Sequence, residues 1–380
     1  MNLALQKTLV FLILMACGYF LQRKLADRQD LRGIKVLILS VVLPATIFMA
    51  LLKIEISQHL LLLPVAALGV NFLFYLLLKW LLPIMGYDLS TPGGRTMLLL
   101  LPSLAPGLSC FPFVLEYLGD EALAMAAMAD VGNKVFVLII LYLLAMSWYY
   151  RQVGQGDAEK RNLGGKLGEL GTALIKEPVN LVIMAALLML GLGLNLDSLP
   201  VFLQTTVARL AAMMTPVVLL FIGLAVRFRR KQMVSILRIL ILRSGLAFGF
   251  SALALTFGPS LSPTMAVLVV AFPQSAVSFW PFAHLAAVGH LSPPKDGPVF
   301  DPDLALNVLA FSLPFSTLIM LMVLSTQSAF TQPVASAGAA AVLLLLPLLY
   351  ALRRVSWKIR KEEAPAVQEP TIVLGRISER

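Results

Sequence analysis

The chain has 380 residues, 59% of them hydrophobic and only 13% charged, with a formal net charge of +10. A soluble domain carries about 25% charged residues, so the composition excludes an ordinary water-soluble fold. Two cysteines and three histidines, none in an HExxH-type spacing, exclude a disulfide framework and a cysteine-rich metal site, and the basic excess comes with no nucleic-acid-binding motif.

A membrane span needs roughly 20 apolar residues. In chain order the sequence predicts spans at 4–21, 34–52, 60–83, 96–118, 122–149, 178–196, 206–226, 234–257, 263–288, 303–327 and 335–352. Within the first, Leu14-Met15-Ala16-Cys17 resembles a lipoprotein cleavage box. The apolar run continues past it and only then meets Gln22-Arg23-Lys24, whereas a signal peptide carries its charge in front. We read a transmembrane helix. Basic residues cluster after spans one, three, five, seven and eleven, with Lys295 alone after span nine. The even-numbered loops carry almost none, Lys53 and Arg209 excepted. This alternation predicts an integral plasma (inner) membrane protein, N-terminus outside and C-terminus cytoplasmic.

The polar, Gly-rich stretch at 150–177 reads as a cytoplasmic linker. It divides a first five-helix repeat (1–149) from a second (178–327). An extra transmembrane helix and a charged tail, expected to be disordered, follow at 328–380. The halves share landmarks in order. Pro44 in span two answers Pro216 in span seven. Pro102, Pro106 and Pro112 in span four answer Pro273 and Pro281 in span nine. Asp120 before span five answers Asp301 before span ten. Five is odd, so the halves enter the membrane in opposite senses. The expected fold class is therefore an all-α membrane protein of two inverted five-helix repeats, with broken crossing helices at spans four and nine and an eleventh helix.

The broken spans carry the first candidate site. Span four reads Pro102-Ser-Leu-Ala-Pro106-Gly-Leu-Ser109-Cys110-Phe-Pro112, and span nine reads Pro273-Gln274-Ser275-Ala-Val-Ser278. Each proline removes a donor and frees a carbonyl about one turn earlier. Such backbone survives at membrane depth only inside protein or along a watery cavity. The half-helix N-termini are expected to favour an anion. Ser109, Cys110, Pro112, Pro273, Gln274 and Ser275 are the candidate substrate-binding residues there.

Span five adds Asp130, Asn133 and Lys134. Asp130 and Lys134 lie four apart on one helix face and can pair. At membrane depth they form either a substrate or coupling-proton site or a self-neutralising structural pair. In span eight, Arg243 either binds an anion or snorkels to the surface, and we favour snorkelling. His284 reads as structural or as a proton relay. Glu116, Asp120 and Glu121 read as a solvated face, with calcium coordination the weaker reading.

These motifs resemble the auxin efflux carrier (PIN-like) family of membrane permeases over about residues 4–327. The resemblance rests on Leu43-Pro44-Ala-Thr-Ile-Phe, on the broken fourth span followed by Tyr117-Leu-Gly-Asp-Glu-Ala-Leu-Ala, and on Lys176-Glu-Pro178. It rests further on Thr215-Pro216 with Ile222-Gly223-Leu, and on Phe272-Pro273. It implies ten helices in two inverted repeats, a scaffold of spans one, two, six and seven, and a moving transport domain. Spans four and nine would cross near the midplane, with Pro112 and Pro273 as the crossing prolines. Related carriers move organic anions. The chain departs from many relatives in having Ala105-Pro106 where they place an asparagine, and in its eleventh span.

The expected function is secondary active transport of a small organic anion by an elevator-like, alternating-access mechanism. The expected partners are that anion, the lipid bilayer, a coupling proton or sodium ion, and a second copy in a homodimer; no nucleic acid, cofactor or metal is expected. The alternative is a sodium-coupled organic anion importer of the bile-acid symporter type, and behind it a channel or receptor. An intramembrane enzyme would need a convergent His/Asp, Ser/His or dual-Asp constellation, and Asp130 has no second membrane aspartate to partner it.

Overall fold

The computed structural model describes residues 3–25, 28–53, 58–153, 175–225, 233–258, 261–289, 297–326 and 329–363, with isolated positions at 168 and 172. Most of the 150–177 linker and the tail beyond 363 lie outside the described residues. The described residues form helices and the turns between them, without strands.

The first helix, α1, is Leu3–Leu21. The second stretch runs as α2 (Arg28–Leu37), a π-turn at Ile38–Val42 and α3 (Leu43–Leu51). Pro44 explains the π-turn: it cannot donate, and the helix widens so that the Leu43 N–H reaches the Ile38 carbonyl. Next come α4 (Gln58–Ile84), then the broken series α5 (Pro92–Leu100), α6 (Pro106–Ser109) and α7 (Phe111–Leu118). Gly119, at φ +86°, makes the turn into α8 (Asp120–Val135). A second π-turn at Phe136–Ile140 joins α8 to α9 (Leu141–Val153).

Beyond the linker stand α10 (Pro178–Gly191), α11 (Val201–Ala212), α12 (Met214–Ala225) and α13 (Met233–Phe257). The second broken series is α14 (Pro263–Ala271), a 3₁₀ turn at Phe272–Gln274, an extended stretch and α15 (Trp280–Gly289). The last two helices are α16 (Pro302–Ser325) and α17 (Pro333–Glu363).

Among the described residues seven helices are long and apolar enough to cross a membrane: Asp30–Leu51, Leu60–Ile84, Asp120–Gln152, Val201–Ala225, Met233–Phe257, Pro302–Ser325 and Pro333–Tyr350. The shorter apolar helices Gln6–Leu21, Pro178–Gly191 and Pro263–Gln274 fall at other expected spans. The fourth and ninth spans are not continuous helices, because their prolines stop the hydrogen-bond ladder.

Helix pairing follows small residues. A Cβ at Gly18 would overlap the Leu220 carbonyl and one at Gly223 the Met15 carbonyl, so α1 and α12 touch backbone to backbone. Gln22 locks the pair by donating to the Gly223 and Leu224 carbonyls at 3.0 and 3.2 Å. Gly132 of α8 lies as closely on the Pro64 carbonyl of α4. Helices α10 and α11 pack on α3, whereas α13 packs on α17, α14 and α16. Between these groups the broken segments are buried.

Candidate functional site

The two broken spans meet at their extended stretches. The Ala105 N–H donates to the Ala276 carbonyl at 2.8 Å, a strand-like link between segments far apart in sequence. Serines complete the junction. The Ala276 N–H donates to Ser109 Oγ (2.8 Å), the Val277 N–H to Ser312 Oγ of α16 (2.7 Å) and the Ser278 N–H to Ser103 Oγ (3.0 Å). Ser109 and Ser103 in turn donate to the Ala105 and Leu100 carbonyls. The backbone donors freed by the break are thus taken by hydroxyls. Sequence alone suggests that they would face an anion. They stay occupied because an unpaired amide buried in apolar surroundings costs several kcal/mol.

The freed carbonyls find cationic and amide partners. Arg243, 3% exposed, donates from Nε to the Leu101 carbonyl (2.8 Å) and from a terminal guanidinium nitrogen to Ser103 (3.1 Å). It does not snorkel. Its fork reaches carbonyls that the extended stretch at 103–105 leaves without helical donors. From α8, the Asn133 Nδ2 donates to the Leu104 carbonyl at 3.0 Å, and the Leu104 N–H donates to Asn133 Oδ1 at 3.3 Å.

Asn133 links this junction to a buried charge cluster. Its Nδ2 also donates to Asp130 Oδ1 (2.8 Å), and Asn71 of α4 donates to Asn133 Oδ1 (3.0 Å). Asn71 Oδ1 is buried with no hydrogen-bond partner, so the cluster holds an open acceptor. Lys134 lies 3.4 Å from Asp130 Oδ2, as the four-residue spacing predicts. Its shorter bond is to Glu177 Oε2 at 2.6 Å, and Asn180 Oδ1 accepts from it at 3.3 Å. Glu177 stands just before α10, with Pro178 as the first helical residue. Burial pushes the Glu177 carboxyl above its ordinary range, and the Lys134 ammonium pulls it part of the way back.

The nine residues singled out by sequence do not form one shell. Ser109, Cys110 and Ser275 lie at the crossing, where the Cys110 thiol meets the Ser275 hydroxyl. Asp130, Asn133 and Lys134 form the adjoining cluster. Pro112 lies in the first turn of α7 and Pro273 in the 3₁₀ turn, so the extended crossing at 103–105 precedes Pro112. Gln274 turns toward α13, where its Oε1 accepts from Ser244 Oγ (2.7 Å). His284 Nε2 bonds the Val137 carbonyl (2.7 Å). At the far end of α7 and α8, Lys53 pairs with Asp120 (2.7 Å) and Lys7 donates to the Glu116 carbonyl (2.6 Å).

Sequence reasoning misses Asn71, Ser103, Glu177, Asn180 and Ser312. It also reads Lys35 only as an orienting loop charge. Lys35 Nζ stands 4.0 Å from the Phe279 ring centroid, a cation–π contact between α2 and the second broken span. A cavity of about 510 Å³ lies away from the crossing, lined by Lys7, Phe11, Glu116 and Pro216 among others. Compared with protein-family models and with curated proteins, the chain matches none.

Proposed function

We propose that the protein is a secondary transporter of the auxin-efflux-carrier type that moves a small organic anion across the plasma membrane. The observation that carries this reading is a junction of two broken helices beside a buried lysine paired with the Glu177 carboxylate. Discontinuous helices at membrane depth are the mark of transporter sites. With the backbone donors of 276–278 taken, anion recognition falls to Lys134. The incoming carboxylate takes the place of Glu177 on the ammonium, with Asn180 alongside. Where relatives place an asparagine in span four, an amide arrives here from α8 as Asn133.

Asp130 and Glu177 against Lys134 leave one excess negative charge when all three are ionised. An anion enters more readily once that excess is removed, and a proton on Glu177 removes it. This favours a proton over sodium as the coupling ion. In this reading the two five-helix halves form an inverted repeat, α1, α3, α10, α11 and α12 form the scaffold, and the junction travels with α4, α8, α13 and α16. The N-terminus is outside and the C-terminus cytoplasmic.

The test is uptake of radiolabelled mono- and dicarboxylates into proteoliposomes under an imposed proton or sodium gradient. We expect proton-dependent uptake that Lys134→Met abolishes, with Glu177→Gln transporting independently of the proton gradient. No uptake of any carboxylate, or full uptake by Lys134→Met, refutes the reading. Dependence on sodium alone would favour the symporter type.

A further inference from the structure

Helices α13 and α17 touch where small residues allow it. A Cβ added at Gly245 would lie 3.2 Å from the Leu344 backbone N, and one at Gly249 would lie 4.0 Å from the Ala340 Cβ. Toward the start of α13 a gap opens between the two helices. The gap is a groove of about 450 Å³ lined by Val234, Leu237, Arg238 and Ile241 on one side and Leu346, Pro347, Leu349 and Tyr350 on the other. The spacing of the α13 residues is that of a single helix face. From Ile241 to Val234 the groove runs about 10 Å at 1.5 Å per residue, within the hydrocarbon depth of one leaflet.

One end of the groove is polar. Arg238 and Tyr350 also line an adjoining chamber of about 330 Å³ with Gly86, Tyr87 and Ser235. The Arg238 guanidinium lies flat on the Tyr350 ring, its carbon 3.4 Å from the centroid. Face-on stacking leaves the in-plane N–H fork open, the geometry that suits a phosphate. Among the described residues no carboxylate pairs with Arg238, although each of the ion pairs found elsewhere joins a lysine to a carboxylate. In the sequence, the basic residues Arg227, Arg229, Arg230 and Lys231 precede α13.

We propose that this groove binds an anionic phospholipid, with its phosphate on Arg238 and Ser235 and an acyl chain along the apolar wall between α13 and α17. Free phosphate shares the headgroup chemistry but leaves that wall uncovered, which is why a lipid is the occupant. The site stands independently of any transport activity.

The test uses the full chain purified in a neutral detergent, with binding read by native mass spectrometry and thermal unfolding. The probes are dioleoyl phosphatidylglycerol, dioleoyl phosphatidylcholine and inorganic phosphate. Phosphatidylglycerol is expected to remain bound and to raise the unfolding temperature more than phosphatidylcholine. Arg238→Gln should weaken that binding about fivefold, the weight of one basic contact near a membrane surface. Leu346→Ser, on the exposed groove wall, should weaken it while leaving Arg238 in place. Equal binding of the two lipids, or undiminished phosphatidylglycerol binding in Arg238→Gln, overturns the proposal. A shift reproduced by inorganic phosphate alone, unaffected by Leu346→Ser, overturns it in favour of a simple anion site.

Discussion

Asn133 serves both sides of Leu104: it donates to the Leu104 carbonyl at 3.0 Å and accepts from the Leu104 N–H at 3.3 Å. A side-chain amide here replaces the helical partners that the broken span lacks. Asn133→Leu leaves two buried backbone groups unpaired, at about 1–3 kcal/mol each. The expected outcome is a lower unfolding temperature and earlier exposure of Cys110. In a Cys17→Ser background, maleimide labelling of Cys110 during heating reads this directly, since Cys110 is buried and Cys17 exposed.

Arg243 plays the corresponding part for Leu101 and Ser103. Arg243→Met keeps the bulk but orphans both carbonyls and should destabilise by several kcal/mol, more than any single serine substitution at the junction. Arg243→Lys restores the charge without the fork and should recover only part of the loss. Detergent-based thermal unfolding of the three proteins checks the ranking.

Lys134 holds two carboxylates, so removing it differs from removing one of them. Lys134→Met leaves the buried Asp130 and the half-buried Glu177 without a counter-charge, expected at about 3 kcal/mol. Glu177→Gln leaves Asp130 and Lys134 paired and should cost much less. Thermal unfolding at neutral pH ranks the two.

The same carboxylate gives a pH dependence of definite sign. Its native value lies above the ordinary 4.5, chiefly through burial. Between 4.5 and the raised value the folded protein binds more protons at Glu177 than the unfolded chain does. The group's stabilising contribution is therefore complete below 4.5 and is lost as pH rises through the native value. Relative to wild type, Glu177→Gln should gain stability as pH rises over that window. A constant difference between the two unfolding curves would contradict this.

Two glycines separate packing from propensity. At Gly132 an added Cβ would overlap the Pro64 backbone carbonyl, whereas at Gly69 it would meet nothing within 4 Å. Gly132→Ala should destabilise by about 1–3 kcal/mol through overpacking of α8 on α4. Gly69→Ala, in the exposed face of α4, should be neutral or stabilising by up to about 1 kcal/mol.

What the sequence displays is local chemistry. Prolines announce the breaks because each acts on its own turn, and Asp130 and Lys134 announce a pair because they are one turn apart. The membrane setting is legible for the same reason: long apolar runs need no partner to be recognised. The bond between Lys134 and Glu177 spans 43 positions, and nothing near Glu177 marks it as that partner. Arg243 is harder still. Its acceptors are backbone carbonyls 142 and 140 positions away, and every residue carries a carbonyl. The serines at 103, 109 and 312 read as ordinary small residues until the fold aims each hydroxyl at an amide.

Those three hydroxyls give the crossing an exchange signature. Amide hydrogens in irregular backbone ordinarily exchange with solvent as fast as their loops move. At Ala276, Val277 and Ser278 each hydrogen is held by a serine from another segment. Release therefore requires separation of the elements, not local fraying. In deuterium exchange this stretch without regular secondary structure should rank with the slowest helices of the protein.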